Sequence, residues 1–196
     1  METRYIVFSV IHPFQQPLIE FKDGKKAKLK RKKAQLAFLQ WKIVDRARVS
    51  KIKEKGIGDK YTRRMLKKLK KFDKATRFWA EDNVFVLDYL CEANKDKTNI
   101  FYSKLDLEKI GTFGQSVGGA AAGQLALIDK RIKAAINMDI FQFGDIYGKD
   151  IKTPFMLLQT EYQEKWNIGN KYIFRNVKSD FFSIKFLKSN HFITSD

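Results

Sequence analysis

A single cysteine, Cys91, rules out any internal disulfide and favours a reducing compartment. No apolar run is long enough to cross a bilayer. The opening METRYIVFSVIHPF has one early arginine and a short apolar run. It lacks a small-residue cleavage site and contains His12-Pro13, so no signal peptide is read and a cytoplasmic location is expected. A G-x-x-x-x-G-K-[ST] phosphate loop is also missing, and no cofactor or metal is expected. Histidine occurs only twice, which leaves two candidates for any imidazole chemistry. Acidic residues are scarce in one stretch: residues 22–71 hold 21 Lys+Arg against 4 Asp+Glu, while the rest of the 196-residue chain is balanced at 18 of each. The whole net charge of +17 therefore sits in that segment.

What remains is ordinary for a globular body: 44% hydrophobic and 14% aromatic residues, enough for one domain over residues 1–196. Tyr5 to Ile11, YIVFSVI, reads as a buried strand ending at Pro13. Within the basic segment, Leu36, Leu39 and Ile43 recur at helical spacing, as do Met65, Leu69 and Phe72. Two basic amphipathic helices separated by KGIGDK are expected. Another helix is expected over 76–93, with Ala80, Val84, Leu87 and Cys91 on one face. A regular alternation follows: strand 109–114, helix 117–128, strand 133–138, strand 154–159, a weak helix 164–176, and strand 180–187. Strands that are apolar on both faces and alternate with helices imply a mostly parallel sheet with helices on both sides.

Five glycines and three alanines crowd around one serine in GTFGQSVGGAAAG, residues 111–123. Gly114 to Gly118 fits G-x-S-x-G in the context that motif requires, strand then sharp turn then helix. A nucleophilic serine must stand above the sheet edge on a strained turn, so side chains at 114 and 118 are expected to collide across it. Gly119 and Ala120–Ala122 would let the helix press against the sheet. The helix N-terminus would aim its free N–H groups at the reacting atoms, with Val117 supplying an oxyanion donor. The bland alternative is a Gly-rich turn without chemistry, or one that binds phosphate.

A nucleophilic serine needs a base, and the base an orienting carboxylate. His191, just beyond the last strand, falls on the edge where strand C-termini gather, downstream of Ser116; His12 lies far upstream. Two carboxylates share that edge. Asp139 follows KAAINM inside apolar neighbours, and Glu161 follows PFMLLQT at the end of the next strand. Pattern alone divides the role evenly between them.

Together, KLDLEKIGTFGQSVGGAAAGQLALIDKRIKAAINMDIFQFG, TPFMLLQTEYQ and SNHF resemble the platelet-activating-factor acetylhydrolase family, calcium-independent phospholipase-like α/β-hydrolases. The family pattern is G-H-S-F-G-G-A, an apolar strand ending in L-D, then P-F/L-x-x-I-N-S-E, then a histidine before a helix. The match covers about residues 76–196, and YIVFSVIHPF resembles an upstream strand. The resemblance implies Ser116 as nucleophile, Asp139 rather than Glu161 as acid, His191 as base and the Val117 N–H as oxyanion donor. It implies metal-free cleavage of short or oxidised acyl esters of glycerophospholipids. Gln115 stands where the family has histidine, and Val117 where it has an aromatic. The family's strand and H-G loop upstream, which supply a second oxyanion N–H, have no counterpart, nor does the helix after the histidine. The chain is thus expected to be truncated at both ends. An impaired hydrolase remnant that binds lipid or protein is the alternative.

Three readings compete for residues 22–71, which have no family counterpart: a solvated helical insertion, an interfacial lid carrying Leu36, Phe38 and Trp41 onto an anionic membrane surface, or a nucleic-acid contact. No helix-turn-helix, zinc or base-stacking motif accompanies the charge, which makes nucleic acid the least expected partner.

Overall fold

The computed structural model describes residues 5–12, 18–29, 70–146, 149–161, 170 and 176–191. The elements in chain order are β1 (Leu18–Glu20), β2 (Lys26–Lys28), α1 (Lys70–Ala93), β3 (Ile110–Gln115), α2 (Val117–Ile128), β4 (Ile132–Met138), β5 (Phe155–Thr160) and β6 (Phe181–Phe186). β1 and β2 form a small antiparallel hairpin turned at Gly24, whose φ of +78° suits a residue without a side chain. The other four strands form one sheet in the order β3-β4-β5-β6, every neighbouring pair parallel. In a parallel sheet all strands end on the same side. Residues following 115, 138, 160 and 186 therefore line one edge, although the first and last are 71 positions apart in sequence.

α2 lies on β3 and β4, and α1 packs against α2. The apposition is close because α2 presents Gly119, Ala120, Ala121, Ala122 and Gly123, all buried. At Gly119 an added Cβ would meet the Gly114 carbonyl at 2.7 Å and the Met138 nitrogen at 2.9 Å. The core joins Ala80 of α1 and Leu125 of α2 to Ile132, Ala135, Phe155 and Leu157 of the sheet. Burying a side chain such as Phe155 or Leu157 contributes about 1.5–3 kcal/mol. Ion pairs fix α1 at both ends. Arg77 binds Asp145 through two bonds of 2.7 and 2.6 Å, and Arg131 spans Asp88 of α1 and Asp129 at the α2 C-terminus. Hydrogen bonds from Arg131 outweigh desolvation and hold the Asp129 carboxyl below its ordinary range, and Arg77 does the same for Asp145.

Five strands and helices expected from sequence are found within a residue or so of their anticipated ends, and α1 begins earlier, at Lys70. Two expectations fail. Tyr5–Ile11 is not a strand: it runs without sheet pairing, and Tyr5 and Val7 are 82% and 67% exposed. It is attached by side chains instead, Phe8 edge-on to Phe101 and His12 stacked on Trp79 of α1. A β-branched run becomes a strand only where a neighbour completes its ladder, and among the described residues none does. β6, read as buried on both faces, is exposed along its whole length. The first basic helix expected, over 34–47, lies outside the described residues, as do residues 63–69 of the second, whose end at 70–72 falls in the first turn of α1. Most of the helix expected over 164–176 also lies outside the described residues.

Candidate active site

Ser116 occupies the single residue between β3 and α2, with φ 55° and ψ −128°. That is a region nearly reserved for glycine, and holding an L-residue there costs on the order of 1–3 kcal/mol. The strain is held by its surroundings. The Ser116 N–H donates to the Met138 carbonyl of β4 (2.9 Å), and the Ser116 carbonyl accepts from the N–H groups of Gly119 and Ala120. Ser116 also stands at the N-cap of α2, where a serine hydroxyl ordinarily accepts a bond from the first helical turn; here Oγ makes no such bond. Val117 opens the helix, so its N–H precedes the first intrahelical bond and is open to an outside acceptor.

The glycines do not contribute alike. A Cβ at Gly114 would fall on the Gly118 carbonyl carbon and oxygen, so residue 114 must be bare. At Gly118 an added Cβ meets nothing within 4 Å. The expectation that both flanking glycines avoid a collision is therefore half right. The turn is tight because of Gly114 and Gly119, and the backbone of 118, not its missing side chain, is what 114 approaches.

Asp139 follows β4 directly, itself at φ 61°, with its N–H donating to the Leu158 carbonyl of β5. The carboxylate is buried. Its Oδ1 accepts from the Thr160 N–H (2.7 Å), and Oδ2 accepts from the Thr160 hydroxyl (2.7 Å) and lies 2.9 Å from Nδ1 of His191. Burial pushes the Asp139 carboxyl up, but the bonds from His191 and Thr160 outweigh it and hold the group below the usual carboxylate range. The loop behind it is pinned by buried amides: Gln142 donates to Ala120 and Phe143 carbonyls and receives the Asn137 amide, while Asn170 holds the backbone of Ile140 and Gln142.

His191 reaches this carboxylate from beyond β6, a path over two strands. Side chains hold its loop. Glu161, the other carboxylate on the edge, accepts the Lys188 N–H at 2.7 Å, and Gln115, next to Ser116, donates its side-chain amide to the His191 carbonyl at 2.5 Å. Ser189 Oγ also closes the turn onto the Phe186 carbonyl. The structure thus brings Asp139 and His191 into contact and ties the loop of His191 to the residue adjoining Ser116. His12 is engaged elsewhere, its Nδ1 2.6 Å from Asp82 of α1. Among the described residues no cluster of His, Cys, Asp and Glu is suited to a metal ion.

Sequence reasoning noted Gln115 beside the serine without giving it a role, and did not single out Thr160, Gln142 or Asn170. For Gln115 a signal existed, since it replaces a usual histidine beside the serine, but its partner comes 76 residues later.

No family model matches the sequence, and no curated protein matches it. Among solved structures, a ferulic acid esterase from Streptomyces cinnamoneus superposes with a TM-score of 0.58 at 18% identity, covering 92% of this chain. The chain spans 42% of the length of that esterase. At this identity the likeness is one of fold: the chain has an α/β architecture with a parallel sheet, similar to part of that structure.

Proposed function

We propose that the protein is a serine ester hydrolase in which Ser116, His191 and Asp139 act as nucleophile, base and orienting acid. The observation that carries this reading is the 2.9 Å contact between Asp139 and His191 on the sheet edge where Ser116 stands strained and uncapped. Asp139 accepts the Nδ1–H of His191, which leaves Nε2 as the basic nitrogen. Nε2 takes the Ser116 proton as Oγ attacks the acyl carbonyl, and the Val117 N–H, at the positive end of α2, binds the oxyanion. His191 returns the proton to the departing alkoxide. It then activates water, which releases the acid and restores Ser116. The preferred substrate class is short or oxidised acyl esters of glycerophospholipids, supported by the resemblance to the acetylhydrolase pattern. The +17 charge in residues 22–71 supports an anionic membrane surface as the place of action.

Labelling with a fluorophosphonate probe, paired with turnover of a short-chain p-nitrophenyl ester and of a 2-acetyl glycerophospholipid, tests this reading. Wild type labels and turns over, while Ser116→Ala does neither. Equal labelling of the two proteins sinks the proposal. Labelling of Ser116 without turnover of any ester would leave a reactive but impaired site and remove the hydrolase assignment.

A further inference from the structure

Gln115 occupies the last position of β3, directly before Ser116. Side chains alternate between the two faces of a strand, and a Cβ at Gly114 would run into Gly118 of α2. Gln115 therefore points to the face of the sheet away from α2. Its register partners across the sheet are Met138, Leu158 and Ile184, so this row shares that face. Three strand spacings of about 4.8 Å separate β3 from β6, about 14 Å in all. The chain beyond Phe186 thus has to fold back across the strand ends before any of its atoms can meet β3. His191 makes that return, and its backbone carbonyl accepts the Gln115 side-chain amide at 2.5 Å. The bond ties one end strand of the sheet to the chain leaving the other.

We infer that Gln115 is a positioning residue: its amide fixes the main chain of His191 so that the imidazole is aimed at Ser116. The inference rests on the reading of His191 as the base. Asp139 meets the ring at Nδ1, 2.9 Å away. A bond at one ring atom leaves an imidazole able to tilt about that atom, and the opposite nitrogen, Nε2, moves with the tilt. A second bond at the backbone carbonyl anchors the other end of the same residue. With ring and main chain both held, the direction of Nε2 is set. The Gln115 anchor also has a property that the carboxylate lacks, because Gln115 and Ser116 share a peptide bond. A shift of the Ser116 turn carries the anchor of His191 with it, so base and nucleophile keep their spacing. The amide is neutral as well. A cation at this position would lower the proton affinity of the imidazole and a carboxylate would raise it, whereas an amide orients the base and leaves its charge balance alone.

Three variants test it. Gln115→Met keeps the length of the side chain but has no N–H, Gln115→Glu sets an acceptor against the carbonyl, and Gln115→His keeps a donor at similar reach. Hydrogen–deuterium exchange of the peptide covering 181–191 reads the anchor without any assay of activity. Exchange there should be about 3- to 10-fold faster in Gln115→Met and Gln115→Glu, and close to wild type in Gln115→His. Unchanged exchange in the first two overturns the inference, whether or not the protein hydrolyses esters. In ester kinetics the same two should lower kcat by about 10- to 100-fold with KM and melting temperature little changed, and Gln115→His should keep most of the rate. In a His191→Ala background, Gln115→Met should cost nothing further, because the residue acts through the base. An unchanged kcat, a rise confined to KM, or an equal loss in the His191→Ala background also overturns it. A wild type whose Ser116 does not label with fluorophosphonate removes the hydrolase reading instead, and the exchange result then decides by itself whether Gln115 positions His191.

Discussion

The two ends of the sheet edge are built on opposite plans. At the β3 end, Ser116 is fixed by backbone: an N–H on Met138, a carbonyl capped by two helical N–H groups, and glycines that allow chain to lie against chain. At the β6 end, His191 hangs from an exposed strand, and its place is set by side chains drawn from three other strands, Gln115, Asp139 and Glu161. The first arrangement is dictated by local sterics and cannot drift. The second is a set of individually replaceable bonds, so it can be weakened one bond at a time. On this comparison, disturbing the backbone packing around Ser116 should show in stability, and loosening the side-chain bonds that place His191 should show in the proposed activity.

The largest effect expected is from Asp139→Asn. The amide would present an N–H to either His191 or Thr160, impose the wrong imidazole tautomer and lower kcat by about 10⁴-fold. Steady-state ester kinetics measure it, and a loss under tenfold would separate Asp139 from the base. Next, Glu161→Ala frees the Lys188 N–H and lets the His191 loop shift. A displacement of about 1 Å costs on the order of 100-fold in kcat, with the melting temperature little changed. If Glu161→Ala alters stability but not kcat, the loop is held without it. Smaller again is the contrast between adjacent glycines. Gly119→Ala pushes a methyl into backbone and should destabilise by about 1–3 kcal/mol. Gly118→Ala, in open space, should be neutral or gain about 0.5–1 kcal/mol from helix propensity. Thermal melts that rank the two the other way would break the assignment of the tight approach to residue 119.

The smallest effect is in pH. Asp139 is held below its ordinary range in the folded state, so it binds a proton more readily when unfolded. Its contribution to stability is complete above the unfolded pKa of about 4 and is lost as pH falls through the depressed folded value. The stability difference between wild type and Asp139→Asn should be constant near neutrality and shrink in acid. A difference that grew in acid would contradict the direction of the shift.

These regions also differ in how much of them the sequence disclosed. The turn at Ser116 is legible because its causes are local: G-x-S-x-G between an apolar strand and a small-residue helix leaves few other conformations. The parallel order of the strands is legible for a similar reason, since each strand is followed by a return to the same edge. The choice between Asp139 and Glu161 is not legible in the residue pattern, because both follow strand ends, and the resemblance alone favoured Asp139. The return path of the chain, fixed by tertiary contacts, puts Asp139 beside His191 and Glu161 under Lys188. The run at Tyr5–Ile11 shows the limit of β-propensity, which measures fitness for a pleated surface and not the presence of a partner. The same limit hid the exposure of β6.

Ser116 pays for its position with a backbone that only glycine would adopt freely. Replacing it with glycine would remove the hydroxyl and relax φ and ψ together, giving a chain that melts higher and lacks the nucleophile of the proposed mechanism. The most durable version of this molecule is thus a silent one. Any selection for thermal robustness alone would favour glycine over serine at residue 116.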